Sequence, residues 1–109
     1  MKYIMIKCLK SDDELIKAAT SSFNNVDVIE EDGFSGGGEW ITIAIPLFAL
    51  GLQIADFILT HLVKSPQDTE SETKKKENRL VVEREGETSL LDSSKEDVIK
   101  YVEDKVKTK

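Results

Sequence analysis

The sequence predicts an α+β domain. A four-stranded sheet carries its helices, in the order β-α-β, one long apolar helix, a β-hairpin and a last helix. Three observations lead there. Residues 2–9 (KYIMIKCL) alternate along the chain in the manner of a strand, with β-branched and aromatic residues among them. Residues 40–63 (WITIAIPLFALGLQIADFILTHLV) are the longest apolar stretch, and Asp56 is its only charge. Residues 79–92 place Gly86 between two short apolar runs, ahead of a serine-capped amphipathic segment.

In residues 2–9, Ile4, Ile6 and Cys8 share one face, and Tyr3, Met5, Lys7 and Leu9 the other. The first face is expected to meet the core. Cys8 then reads as a small buried hydrophobe, because no electropositive or helix-terminal setting is visible that would activate its thiol. Ser11-Asp12-Asp13-Glu14 reads as a capping box, and its acids suit the positive end of a helix. Leu15, Ile16, Ala19 and Phe23 supply that helix's apolar stripe, and Asn24-Asn25 stops it. A helix start explains the acids without a cation, and no calcium-loop spacing accompanies them. Residues 26–31 form a second strand with Val26 and Val28 on one face. With the helix between them, the two strands are expected to make a parallel, right-handed βαβ unit.

Residues 32–39 (DGFSGGGE) are a glycine-rich loop. Glycines before a helix can cradle a phosphate. Here no Lys-Ser/Thr follows them, and Glu39 puts a carboxylate where the anion would sit, so the loop reads as a hinge.

Residues 39–64 are expected to form one apolar helix, kinked at Pro46. The other solution starts the helix at Pro46 and leaves residues 41–45 extended, with Ile41, Ile43 and Ile45 on one face. Gln53, Asp56, Thr60 and Lys64 step by three or four and form a narrow polar seam. A rod apolar nearly all round is buried either in protein or in lipid. Residues 40–63 are long enough to span a bilayer, but Asp56 would cost roughly 2.5–3.5 kcal/mol near its centre. The core reading is therefore preferred, with a transmembrane or membrane-inserting helix as the alternative. Asp56 is expected to be solvent-exposed or hydrogen-bonded, since an unpaired buried carboxylate is costly.

Residues 65–78 (SPQDTESETKKKEN) lack apolar periodicity and read as an exposed, mobile, charged linker. In residues 79–92 a turn at Glu85-Gly86 would pair Arg84 with Glu87, Leu80 with Leu91 and Val82 with Ser89. Ser93…Glu96 and Ser94…Asp97 are alternative capping boxes for a last helix striped by Val98, Ile99, Val102 and Val106. Tyr101 lies off that stripe and reads as a core-edge residue.

The chain has 109 residues, one domain's worth, with 15 basic and 21 acidic residues and a formal net charge of −6. So acidic a chain has no electrostatic footprint for nucleic acid. Its single cysteine excludes an internal disulfide and fits a reducing, cytoplasmic setting. The start of the chain, whose short apolar run is broken by Lys7, does not read as a signal peptide. His61 is the only histidine, so no histidine cluster can hold a metal, and no cofactor motif is present. Asp56 and His61 lie five residues apart, about 500° around a helix, so they do not form a dyad. Nothing places Ser35 near a base. The chain therefore reads as a non-enzyme that acts through the apolar helix. Trp40, Phe48, Gln53, Asp56, Phe57, Thr60 and His61 are its candidate interaction residues.

The lead-in Gly36-Gly37-Gly38-Glu39, the apolar helix with Gly51 and Ala55, the charged segment after it, the glycine-turn hairpin and the final helix together resemble one known family. It is the effector-associated constant component domain of bacterial conflict systems. The resemblance runs the length of the chain, though this helix is richer in Ile and Phe and contains Pro46. It implies a non-catalytic accessory or adaptor in a bacterial or phage defence system. The implied partner is another protein, the system's effector or regulator, with self-association as a second form.

Overall fold

Residues 2–9 do form a strand, and it sits at the centre of the sheet. The computed structural model describes residues 2–30, 40–47 and 51–107. In chain order the elements are β1 (Tyr3–Leu9), α1 (Asp13–Ser22), β2 (Asp27–Glu30), β3 (Trp40–Pro46), α2 (Gly51–His61), α3 (Glu70–Glu77), β4 (Leu80–Glu83), β5 (Gly86–Ser89) and α4 (Lys95–Lys107). The protein is thus α+β, as expected. The described residues form four helices and a five-stranded antiparallel sheet in the order β2-β3-β1-β4-β5.

The fifth strand comes from the apolar stretch, and this corrects the single kinked helix over 39–64. Residues 40–46 are extended. Ile41, Ile43 and Ile45 pair with Cys8, Ile6 and Ile4 of β1, and all six side chains are buried. β-branched residues at period two suit a pleated surface better than a helix. Pro46 is the last rung, opposite Tyr3, and the N–H of Leu47 resumes the ladder by donating to Lys2 O at 2.8 Å. A proline is tolerated at such an end position, where it interrupts no longer ladder. Among the described residues α2 then has eleven residues, or about 16 Å. No helix among the described residues is long and apolar enough to cross a membrane. The proposed helix start at Glu39 and the glycine hinge at 32–39 lie outside the described residues.

β3 also changes the expected βαβ unit. β1 and β2 run the same way, but both pair antiparallel with β3, which lies between them. With α3 set aside, the elements from β1 to β4 follow the split β-α-β-β-α-β path of ferredoxin-like folds, and β5 and α4 extend it. Buried side chains of α1 (Leu15, Ala19), α2 (Ile54, Ala55, Phe57, Ile58) and α4 (Val98, Val102) all join one cluster with Ile4, Ile6, Cys8, Ile41, Ile43, Ile45 and Val81. α1, α2 and α4 therefore lie on one sheet face. β2 is an edge strand whose four residues are all exposed.

Residues 65–78 are mostly exposed, as expected, but they are not without regular structure. They contain α3, opened by a reciprocal capping box between Thr69 and Glu72. Apolar periodicity is absent because this helix buries a lysine. Lys76 is 7% exposed, and its Nζ donates to Asp68 Oδ2 at 2.6 Å and to Val63 O at 2.9 Å. That hydrogen bond, with the one from the Ser65 N–H, holds the Asp68 carboxyl below the usual carboxylate range.

Arg79 makes a second buried charge contact. Its Nε and Nη2 donate to both oxygens of Asp12, at 2.7 and 2.9 Å, and Nη1 donates to His61 O at 2.9 Å. Asp12, not Ser11, is the cap of α1, and its Oδ1 also accepts from the Leu15 N–H. One carboxylate thus caps α1 while a guanidinium ties it to the end of α2 and the start of β4. Asn25, at φ 61°, closes the α1 exit in the left-handed region, as Asn tolerates.

The hairpin forms in a different register. Leu80 pairs with Ser89, Val82 with Glu87 and Glu83 with Gly86, so the turn is Arg84-Glu85. Gly86, at φ 131°, takes a backbone conformation closed to other residues as it enters β5. The shift frees Leu90 to leave the sheet and enter the core. Ser94 is the serine that caps α4, accepting from the Asp97 N–H.

Replacing Arg79 by Ala strands Asp12 and the last carbonyl of α2, and is expected to lower the unfolding free energy by about 3–5 kcal/mol in urea titrations. Lysine there keeps the charge but not the two-pronged geometry, and recovers only part of the loss. A loss within the range of exposed ion pairs, below about 1 kcal/mol, contradicts this role.

Candidate functional site

The stop of α1 and the middle of α2 build one surface depression. Phe23 ends α1, its N–H donating to Ala19 O at 3.1 Å. Its ring meets Phe57 edge-on, with centroids 5.3 Å apart and planes at 70°. Phe57 in turn lies 4.6 Å from the His61 ring, tilted by 46°. Residues i and i+4 on a helix stack one above the other, which is why Phe57 and His61 meet. Gln53, one turn before Phe57, donates from Nε2 to Ser22 O at 3.2 Å and so satisfies a carbonyl at the end of α1. Asp56 and Thr60 face solvent beside these rings. Ser22, Phe23, Gln53, Asp56, Phe57, Thr60 and His61 together line a shallow depression of about 220 Å³.

Five of the seven candidate residues thus converge: Gln53, Asp56, Phe57, Thr60 and His61. The expectation that Asp56 would be exposed or hydrogen-bonded holds through exposure. Phe57 is nearly buried and serves as floor, not contact. Trp40 is elsewhere. It pairs with Leu9 on the sheet face away from the helical core, with Lys7 Nζ 5.6 Å from its ring centroid. Phe48 lies outside the described residues.

The electrostatics of the depression follow from burial. His61 is half-buried, and desolvation lowers its pKa below the usual imidazole value, with the Arg79 guanidinium adding to the shift. The ring is therefore neutral near pH 7. No hydrogen bond or ion pair among the described residues joins Asp56 to His61, although both line the depression. Cys8 is farther inside. Burial pushes its thiol up to about 12, helped by the Asp12 carboxylate and opposed by Arg79, so it is not a nucleophile near neutrality. No group of three or more His, Cys, Asp or Glu among the described residues is placed to hold a metal ion.

Two further surfaces escaped the sequence reading. α2 and α4 leave between them a groove of about 550 Å³ lined by Leu52, Ala55, Ile99, Val102 and Val106, with Gln53, Glu103 and Lys107 also on its wall. Leu52 is 75% exposed and Val106 43%. Leu52 was hidden because it lies within the long apolar stretch of residues 40–63. Across the molecule, Lys2, Tyr3, Leu47, Glu83, Arg84, Glu85 and Lys105 line a charged crevice of about 640 Å³. There Glu83 accepts from the Tyr101 hydroxyl at 2.5 Å and from Lys105, which holds its carboxyl low despite desolvation and pushes the Tyr101 phenol up.

Two titrations check this electrostatic picture. The unfolded chain binds a proton at His61 that the folded chain refuses, so stability is expected to fall as the pH drops below about 6.5. The fall should be smaller in His61→Gln, and an equal fall in both proteins contradicts the burial of the ring. A thiol-specific chromophore at pH 8 is expected to leave native Cys8 unlabelled and to react fully in denaturant; rapid labelling of the native protein contradicts its inertness. No protein-family model, no curated protein and no solved structure matches this chain.

Proposed function

We propose that this chain is a non-enzymatic accessory protein of a bacterial or phage conflict system. It binds the system's effector or regulator through the outer surface of α2, acts in the cytoplasm and uses no cofactor. The reading rests on the resemblance in sequence to the effector-associated constant component; of the parts that carry it, the described residues contain α2 with Gly51 and Ala55, the hairpin and the final helix, and the lead-in 36–39 lies outside them.

The observation that carries the reading is the division of α2 into two sides. Ile54, Ala55, Phe57 and Ile58 enter the core, while Gln53, Asp56 and Thr60 stay exposed in a row above an aromatic floor. Exposed polar groups around a packed aromatic base are a common form of protein-recognition surface. Every buried side-chain nitrogen and oxygen among the described residues has a hydrogen-bond partner, which suits a rigid scaffold that presents a surface.

Co-expression with an effector of the same system tests the proposal. A stable complex is expected, and Asp56→Lys combined with Thr60→Ala should weaken it about tenfold or more, or ~1.4 kcal/mol. The same variant should unfold at the wild-type temperature, because both positions are exposed. Absence of a complex, or one indifferent to this pair, contradicts the reading.

A further inference from the structure

The groove between α2 and α4 shares Gln53 with the surface used above but is otherwise lined by different residues, and its chemistry selects a different occupant. We infer that it is filled by a second copy of this chain, so that the protein is a two-fold dimer.

Two observations on the groove lead there. First, Leu52 stands 75% exposed on α2, beside the half-exposed Val106 of α4 and above Ala55, Ile99 and Val102. An apolar wall with a projecting leucine is both a socket and a plug. That combination is what an isologous interface requires, because one patch must fit itself. Second, Glu103 and Lys107 both lie on the α4 wall of this groove, one helical turn apart. A two-fold axis crossing α4 midway between them sets Glu103 against the partner subunit's Lys107. It sets Lys107 against the partner subunit's Glu103 at the same time. Two equal charges there would repel under that symmetry; opposite charges four residues apart make the patch complementary to itself. Among the described residues neither side chain has an ion-pair partner within the chain, so both are available for this one.

At Gly51 the two walls are close. A Cβ at this position would lie 3.8 Å from Val102 and Val106, in ordinary contact, so the first turn of α2 sits directly against α4. The groove opens outward from that contact. A leucine from the second copy covers apolar surface that the chain itself leaves wet.

The dimer would present two α1–α2 depressions. An effector with two matching sites would then bind far more tightly than one depression allows, through effective concentration.

Sedimentation equilibrium from micromolar to submillimolar protein tests the inference. The wild type is expected to be a dimer, and Leu52→Glu a folded monomer by circular dichroism. Glu103→Lys alone and Lys107→Glu alone should each raise the dissociation constant about tenfold or more. Mixing these two single variants should restore a dimer, because each supplies the charge the other lacks. The double variant carrying both changes should dimerise by itself. A wild type that is monomeric throughout overturns the inference, and so does a dimer that Leu52→Glu leaves intact. So does a mixture of the charge variants that associates no better than either alone. Binding of the effector by monomeric Leu52→Glu keeps the two surfaces distinct: it supports the function proposed above whatever the dimer does.

Discussion

A strand with partners on both sides governs this fold. β3 pairs along all seven residues with β1 and along four with β2. Once residues 40–46 are committed to that place, much else follows. β1 and β2 are held apart though they run the same way. Ile41, Ile43 and Ile45 face the helices and set the row against which α1, α2 and α4 pack. The ladder ends at Pro46, and α2 has only the remainder of the apolar stretch from which to form. A short α2 cannot bury itself on every side, so it reaches the surface with Gln53, Asp56 and Thr60 on one flank and Leu52 on the other.

Charged groups complete the packing at the seams between elements. Arg79 and Lys76 are 2% and 7% exposed, yet each meets a carboxylate and a carbonyl at or just past the end of α2. Buried ions are favourable only when their hydrogen bonds are filled, and here they are. Arg79 joins the cap of α1 to the end of α2, and Lys76 joins α3 to the turn after α2. The depression at His61 depends on the first of these contacts, because Arg79 holds the His61 carbonyl and also opposes protonation of its ring.

Features with a local cause were legible in the sequence. Cys8 joins Ile4 and Ile6 inside because period two allows little else. Ser94 caps α4 because its side chain acts on backbone nearby, and Asn25 marks the turn after α1 because it tolerates the left-handed region. The row of Gln53, Asp56 and Thr60 followed from helical spacing over a segment that is helical under both readings of Pro46, whereas Lys64, the fourth member of that seam, lies beyond the end of α2 and His61 lines the depression instead. Features with a distant cause were not legible. The strand at 40–46 depends on two neighbours supplied by β1 and β2, and a uniformly apolar run hides the change from period two to helical period. α3 looked like a linker because its anchor is a lysine, whose partners at Asp68 and Val63 appear only on folding. The hairpin register was displaced by Leu90, whose place is in the core rather than opposite Leu80. The α2–α4 groove required knowing which helix lies beside which.

The functional account rests on where the apolar stretch divides, since both α2 surfaces exist only if β3 is extended. Nuclear magnetic resonance of the labelled protein reads this most directly. Cross-strand contacts are expected between Ile6 and Ile43 and between Ile43 and Val28, with helical contacts beginning only after Pro46. An unbroken run of helical contacts from Trp40 to His61, without contacts to β1, would contradict it.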